Sequence, residues 1–172
     1  NSPLLENFNK NKIEVLICDD EIDAIIMPMV YEYDKTPIKP ATSAEFKEEL
    51  NQDDFKELTE KIKEALKDEV KDVRVTSRLN KSASCLVYDE NDPDFATQQI
   101  LKQMGQDNLP KILPILEINP NHEIIKKLKD NNMVLNDVAK VLLGVAKIQE
   151  GITIENTDEF TSILTSFIQK AI

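Results

Sequence analysis

Cationic residues are in deficit. Lys and Arg number 21 against 32 Asp and Glu, a formal net charge of −11 over 172 residues. Phosphate binding needs a cationic face, so nucleic acid is not an expected partner. Glycine is scarcer still, at positions 105, 144 and 151 only. Neither the P-loop nor the GxGxxG fingerprint can be assembled from those positions. His122 is the single histidine, with no cysteine or second histidine near it, so no metal site or His-based triad is expected. Ser82 and Ser84 lack the glycine-flanked elbow of a nucleophile. No apolar run approaches the roughly 18 residues of a membrane span, so no membrane partner is expected. Cysteine is limited to Cys18 and Cys85. Each sits in an apolar, strand-like run and is expected as a buried thiol in a reducing, cytoplasmic compartment.

The remaining composition supports a real core. Hydrophobic residues make up 41% of the chain, in the globular range. At this length a core needs neither metal nor disulfide. The chain opens "NSPLLENFNKNKIEV" with no Met, and is expected to be a fragment of a longer protein.

"IEVLIC" (13–18) reads as a strand. A short helix over 20–27 is expected to end at Pro28, followed by extended chain over 30–33. "DKTPIKPATSAEF" (34–46) carries two prolines and small polar residues and reads as a linker. Phe55, Leu58, Ile62, Ala65 and Leu66 mark an amphipathic helix over 53–68, with Asp53 or Asp54 as cap. "VKDVRVTSRL" (70–79) and "ASCLVYDE" (83–90) read as strands joined in a hairpin. A helix with Pro93 in its first turn runs to Met104 and stops at Gly105. "KILPILEIN" (111–119) reads as a third strand, placed by Pro114 at an edge or a bulge. Asn119 or Asn121 caps the next helix, with His122 in a capping or surface role.

Two helices close the chain. Leu135, Val138, Val141, Leu142, Val145 and Ile148 form a stripe within 133–149. Phe160, Ile163, Leu164, Phe167 and Ile168 form another within 157–171. The short connection "EGITIEN" favours an antiparallel helical hairpin. Both arms carry an apolar face wider than one partner helix needs. Either the chain's own sheet covers the remainder, or a second copy does so through two-fold symmetry, giving a four-helix bundle. The expected fold class is therefore α+β: a small three-stranded sheet, packed helices and a C-terminal helical hairpin.

Candidate chemistry is thin. "EVLICDDEID" resembles the opening of a receiver domain, where paired acids hold Mg²⁺. No later strand ends in the second acid such a sheet needs. An acid-enriched helix start accounts for the same residues. "YDENDPD" (88–94) lacks the spacing and central glycine of a calcium loop. No catalytic, cofactor-binding or metal residue is assigned. Two segments have loosely apolar, adaptable surfaces: Ile25, Ile26, Met27 and Met29, and Phe95, Ile100, Leu101 and Met104. Core packing is the alternative for both.

The order of these motifs carries a resemblance. "VKDVRVTSRLNKSASCLVYDENDPDFATQQILKQMGQ" followed by "ILEINPNHEIIKKL" resembles the C-terminal domain of the bacterial heat shock protein 90 chaperones, and "IEVLICDDEIDAIIMPMVYEYDKTPI" resembles the end of their middle domain. Ser82-Ala83-Ser84 stands where the family has Ser-Pro-Ala, and Phe95 where it has Met. The resemblance implies three parts: residues 1–36 as the end of a middle domain, 37–51 as a linker and 52–172 as a C-terminal dimerisation domain. It implies a homodimer sealed by the two terminal stripes, and contact with unfolded client proteins through the two adaptable segments. It also implies that ATP and Mg belong to an N-terminal domain outside this chain, leaving the chain itself without cofactor or ATPase. A monomeric protein-binding adaptor of the same layout is the alternative.

Overall fold

A computed structural model of the chain describes residues 2–20, 22–39, 41, 50–89, 92–93, 95–105, 112–130 and 133–172. In chain order, a 3-10 turn at Pro3–Leu5 leads into α1 (Glu6–Lys10), and α2 (Asp23–Ile26) runs into a 3-10 turn at Met27–Met29. A two-stranded hairpin follows, β1 (Glu32–Tyr33) and β2 (Thr36–Pro37). Next come α3 (Lys56–Leu66), β3 (Asp72–Val75), β4 (Ser84–Val87), α4 (Phe95–Gln103) and β5 (Ile115–Ile118). The chain closes with α5 (Glu123–Asp130), α6 (Leu135–Gln149) and α7 (Thr157–Ala171). The class is α+β, as the alternation of patterns implies.

The strand order corrects one expectation. β3 and β4 do not form a hairpin. β5 lies between them, parallel to β3 and antiparallel to β4. Every residue of β5 is buried, which is what a strand bonded on both edges and covered on both faces requires. Pro114 is therefore neither at an edge nor at a bulge. The ladder starts one residue later, so its missing N–H is not needed, and its carbonyl accepts from the Lys71 amide at 2.8 Å. The connection over 76–83 arches across the end of β5. The Thr76 amide donates to the Ile118 carbonyl, and Asn119 bonds the Ala83 and Ser82 carbonyls through its amide and side chain.

Period-2 alternation divides the sheet between two layers. Val73, Val75, Leu86, Leu116 and Ile118 face α3, α5 and α6, whose Leu58, Ile62, Ile125, Ala139 and Leu143 complete the main core. Cys85, Val87 and Ile115 face the other way, under Leu79 and Leu4. Glu117 shares that second face. It is buried, with Arg74 at 2.8 Å on one oxygen and Arg78 at 2.6 Å on the other.

Local signals account for the helix boundaries. Asn156 caps α7 by accepting from the Glu159 amide. The His122 Nδ1 accepts from the Ile124 amide at the start of α5. Gly105, at φ +84°, follows α4 in the left-handed region that glycine tolerates. Asp53 and Asp54 sit in a 3-10 turn ahead of α3 and make no side-chain cap on it. Residues 13–18 form no strand; they run as exposed, irregular chain, and Cys18 is exposed with them. β-branched residues favour a strand only where a neighbouring strand and a covering layer receive them, and among the described residues no strand pairs with this run. Within the expected linker the Asp34-Lys35 turn, both residues at positive φ, closes the β1–β2 hairpin.

Candidate interaction surfaces

α6 is divided between two environments. Leu135, Ala139, Leu142, Leu143 and Ala146 are buried against α3 and the sheet, and Val138 packs at the margin of that core. Val141 is half-buried. Val145 and Ile148 point outward, and Ile148 is 55% exposed. Thus Leu135 and Leu142, two members of the first stripe, belong to the core of this chain. The outer strip is narrower than the sequence pattern.

α7 lies along α6 and has no fully buried side chain. Phe160, Ile163, Leu164 and Phe167 are half-buried, while Ile168 is 59% exposed. The Phe160 ring sits on Gly144, where a Cβ would overlap it. Glycine at that position thus lets the two helices approach closely. Lys140 pairs with Glu159 across the same contact, and Lys147 pairs with Glu69 at 2.7 Å. The Glu159 hydrogen bond holds the Lys140 ammonium above its ordinary pKa. The Lys170 ammonium lies 5.9 Å from the Phe167 ring centroid. On the outer side of the two helices, Val145 and Ile148 of α6 and Ile168 of α7 stay exposed.

The second candidate surface joins residues about 70 apart in sequence. α2 lies beside α4, which brings parts of the two adaptable segments together. Ile25 and Ile26 are exposed, Met29 is 67% and Met104 63% exposed; Met27, Phe95, Ile100 and Leu101 are half-buried. Pattern alone could not bring the segments together, because their approach depends on how the sheet is ordered. Acids at the start of α2 act locally. Asp20 accepts from the Ile22 amide, and Asp23 accepts from the Asp20 amide, each at 3.2 Å. In the loop that precedes α4, Asp89 and Asp92 both pair with Lys71, just ahead of β3.

No group of three or more His, Cys, Asp or Glu residues placed to hold a metal occurs among the described residues. Burial, then the neighbouring Glu117 charge, pushes the Cys85 thiol well above its ordinary pKa, which makes it inert. Among the described residues no helix is long and apolar enough to cross a membrane. Sequence pattern does not reveal the Arg78–Glu117–Arg74 cluster, in which Glu117 and Arg78 are buried and Arg74 is partly exposed. Its one signal was a lone carboxylate inside the apolar run "PILEI", which a buried strand tolerates only with a cationic partner.

Comparison with known proteins places this architecture. The family profile described as "Hsp90 protein" matches residues 1–172. The chain is 49% identical over 173 residues to "Chaperone protein HtpG" of Campylobacter jejuni subsp. jejuni serotype O:23/36 (strain 81-176), covering 99% of this chain and 28% of that protein. It is 44% identical to the protein of the same name from Aliarcobacter butzleri (strain RM4018), and 43% to that from Sulfurovum sp. (strain NBC37-1); each match covers 100% of this chain and 29% of the relative. The chain therefore spans under a third of the length of these relatives. A match along its whole length, at this identity, means that the chain belongs to the Hsp90 family.

Proposed function

We propose that this chain is the homodimerisation and client-contact part of a cytoplasmic, ATP-driven chaperone of the HtpG type. Residues 52–172 are the dimerisation domain, 37–51 the linker and 1–36 the end of a middle domain. ATP and Mg act in a domain of the parent protein outside this chain, and the chain itself carries out no catalysis. The observation that carries the reading is the state of α7. Its five large apolar side chains include none that is fully buried, while the inner face of α6 is already spent on the core. A second copy of the hairpin, related by two-fold symmetry, covers Val145, Ile148 and Ile168 with the same residues of its own. The α2–α4 patch, rich in Met and Ile, suits unfolded segments of varied sequence, because flexible thioethers adapt to many shapes.

Sedimentation velocity on the 172-residue chain tests the first half. A dimer is expected. Ile148→Asp with Ile168→Asp should give folded monomers, since both side chains are more than half exposed and a carboxylate there costs nothing until a partner buries it. Leu142→Asp, by contrast, should unfold the chain, because that residue is core. A monomeric wild-type chain at micromolar concentration would favour the adaptor reading and remove the dimer. For the second half, Met29→Ser with Met104→Ser in the full-length protein should leave the dimer intact and weaken suppression of client aggregation. Unchanged suppression would exclude the patch.

A further inference from the structure

The excursion between Asn11 and Lys39 carries α2, and both of its ends return to one loop. At the near end, Glu6 Oε2 accepts from the Asn80 and Lys81 amides, each at 2.6 Å. Glu6 Oε1 accepts from the Ser82 amide at 3.1 Å and from the Ser82 hydroxyl at 2.5 Å. The neighbouring Asn7 side chain donates to the Ser77 carbonyl. Asn7 and Phe8 are buried, and Leu4 packs against the second-face cluster of Leu79, Cys85, Val87 and Ile115. At the far end, Arg78 Nη1 donates to the Ala41 carbonyl at 3.0 Å. The same guanidinium is fixed from behind by Glu117 of the central strand at 2.6 Å.

We propose that residues 76–82 form a two-point clamp on this arm, with Glu6 as the positioning residue that sets α2 against α4. The loop is itself rigid, since it is bonded to the end of β5 through Thr76 and Asn119. A carboxylate receiving three backbone N–H groups and a hydroxyl is a charge-assisted contact, roughly twice as strong as a neutral one. It spans more than 70 residues of sequence, so it restrains the arm in a way that contacts within α2 cannot. The loop ahead of α4 meets the sheet separately, where Lys71 pairs with Asp89 and Asp92. The Glu6 contact is thus independent of those that hold the other side of the α2–α4 contact. The use made of that juxtaposition, client contact, rests on the function proposed above; the clamp itself rests only on the bonding.

Amide hydrogen exchange on the full-length protein tests it, comparing wild type with Glu6→Ala and Glu6→Gln. In Glu6→Ala the amides of Asn80, Lys81 and Ser82 should exchange about 10-fold faster or more, as expected for losing a charged acceptor. The amides of residues 23–27 and 29 should accelerate with them, and those of 115–118 should not. Glu6→Gln retains one carbonyl acceptor, so it should lie between wild type and Glu6→Ala at both sites, and it carries the test if Glu6→Ala does not fold. Acceleration at 80–82 without any at 23–29 would overturn the positioning role. Equal acceleration throughout the sheet would do so as well, because Glu6 would then only stabilise the fold. Capture of a denatured client by the same variants separates the two proposals. A loosened α2 with unchanged capture would uphold the clamp and exclude α2 from client contact.

Discussion

Replacing Gly144 by alanine adds one methyl group where α6 and α7 cross. Two opposed effects decide the outcome. Within a helix, Gly→Ala gains about 0.8–1.0 kcal/mol by reducing the freedom of the unfolded chain. Here, however, the new Cβ overlaps Cε2 and Cδ2 of Phe160 and comes within 3.2 Å of its Cζ. Forcing a side chain into an occupied site costs about 1–3 kcal/mol. Since α7 has no buried anchor of its own, the strain should be relieved by displacing α7 while the sheet keeps its packing. The net result is a loss of up to about 2 kcal/mol in global stability, while α7 docking, in which α6 is helical before and after, loses the full 1–3 kcal/mol or so of the clash. A loss near 1 kcal/mol raises the undocked population about 5-fold. Hydrogen exchange along α7 reads this directly, and sedimentation shows whether dimers weaken with it. In a Phe160→Ala background the clash is absent, so Gly144→Ala should instead stabilise by its full helical gain. The two sites should therefore be coupled by about 1–3 kcal/mol. Equal stabilisation in both backgrounds would mean that Phe160 does not rest on Gly144, and the close crossing would be refuted.

Two further outcomes follow from the polar groups. Glu117→Gln removes the carboxylate 2.6 Å from the guanidinium of Arg78, which is 7% exposed, and breaking such a buried pair costs about 3–5 kcal/mol. The urea midpoint should fall with an unchanged slope, and a loss below about 1 kcal/mol would show that the cluster is solvated. Glu6 gives a pH signature. Burial raises its pKa, but the Ser82 hydroxyl and the amides of Lys81, Asn80 and Ser82 outweigh that, and the net value lies below the ordinary 4.5. A depressed folded-state pKa means stabilisation that is complete above the ordinary value and disappears as pH falls through the folded one. The stability difference between wild type and Glu6→Ala should accordingly be constant near neutrality and shrink as the solution is acidified below about 4.5. A difference that persists undiminished in acid would exclude the carboxylate as its source.

How far each element could be read from the sequence depends on the range of the interaction that makes it. α3, α4, α6 and α7 show themselves through 3.6-residue periodicity, because each gathers its apolar residues on one stripe whatever it packs against. The Asn156 cap and the turn at Gly105 are likewise local. The run over 13–18 has a strand's composition, yet a strand needs a neighbour to bond, and the described chain offers it none. The pairing of β3 with β4 was misread for a related reason. Two strands joined by a short connection look like a hairpin, and only the burial of β5 on both faces and both edges shows that it must lie between them.

Periodicity also could not apportion the apolar residues of α6. Leu142 and Ile148 lie on one stripe, but the sheet covers the first and leaves the second in water. The sequence by itself determined the α+β class, the terminal hairpin and the net negative charge, because composition and short-period patterns act through neighbours along the chain. Tertiary structure alone decided the strand order, the Glu117 cluster, the meeting of α2 with α4 and the seating of Glu6 on the 80–82 amides. Each of these joins groups tens of residues apart, and whether they meet depends on how the layers stack, a quantity that no local pattern encodes.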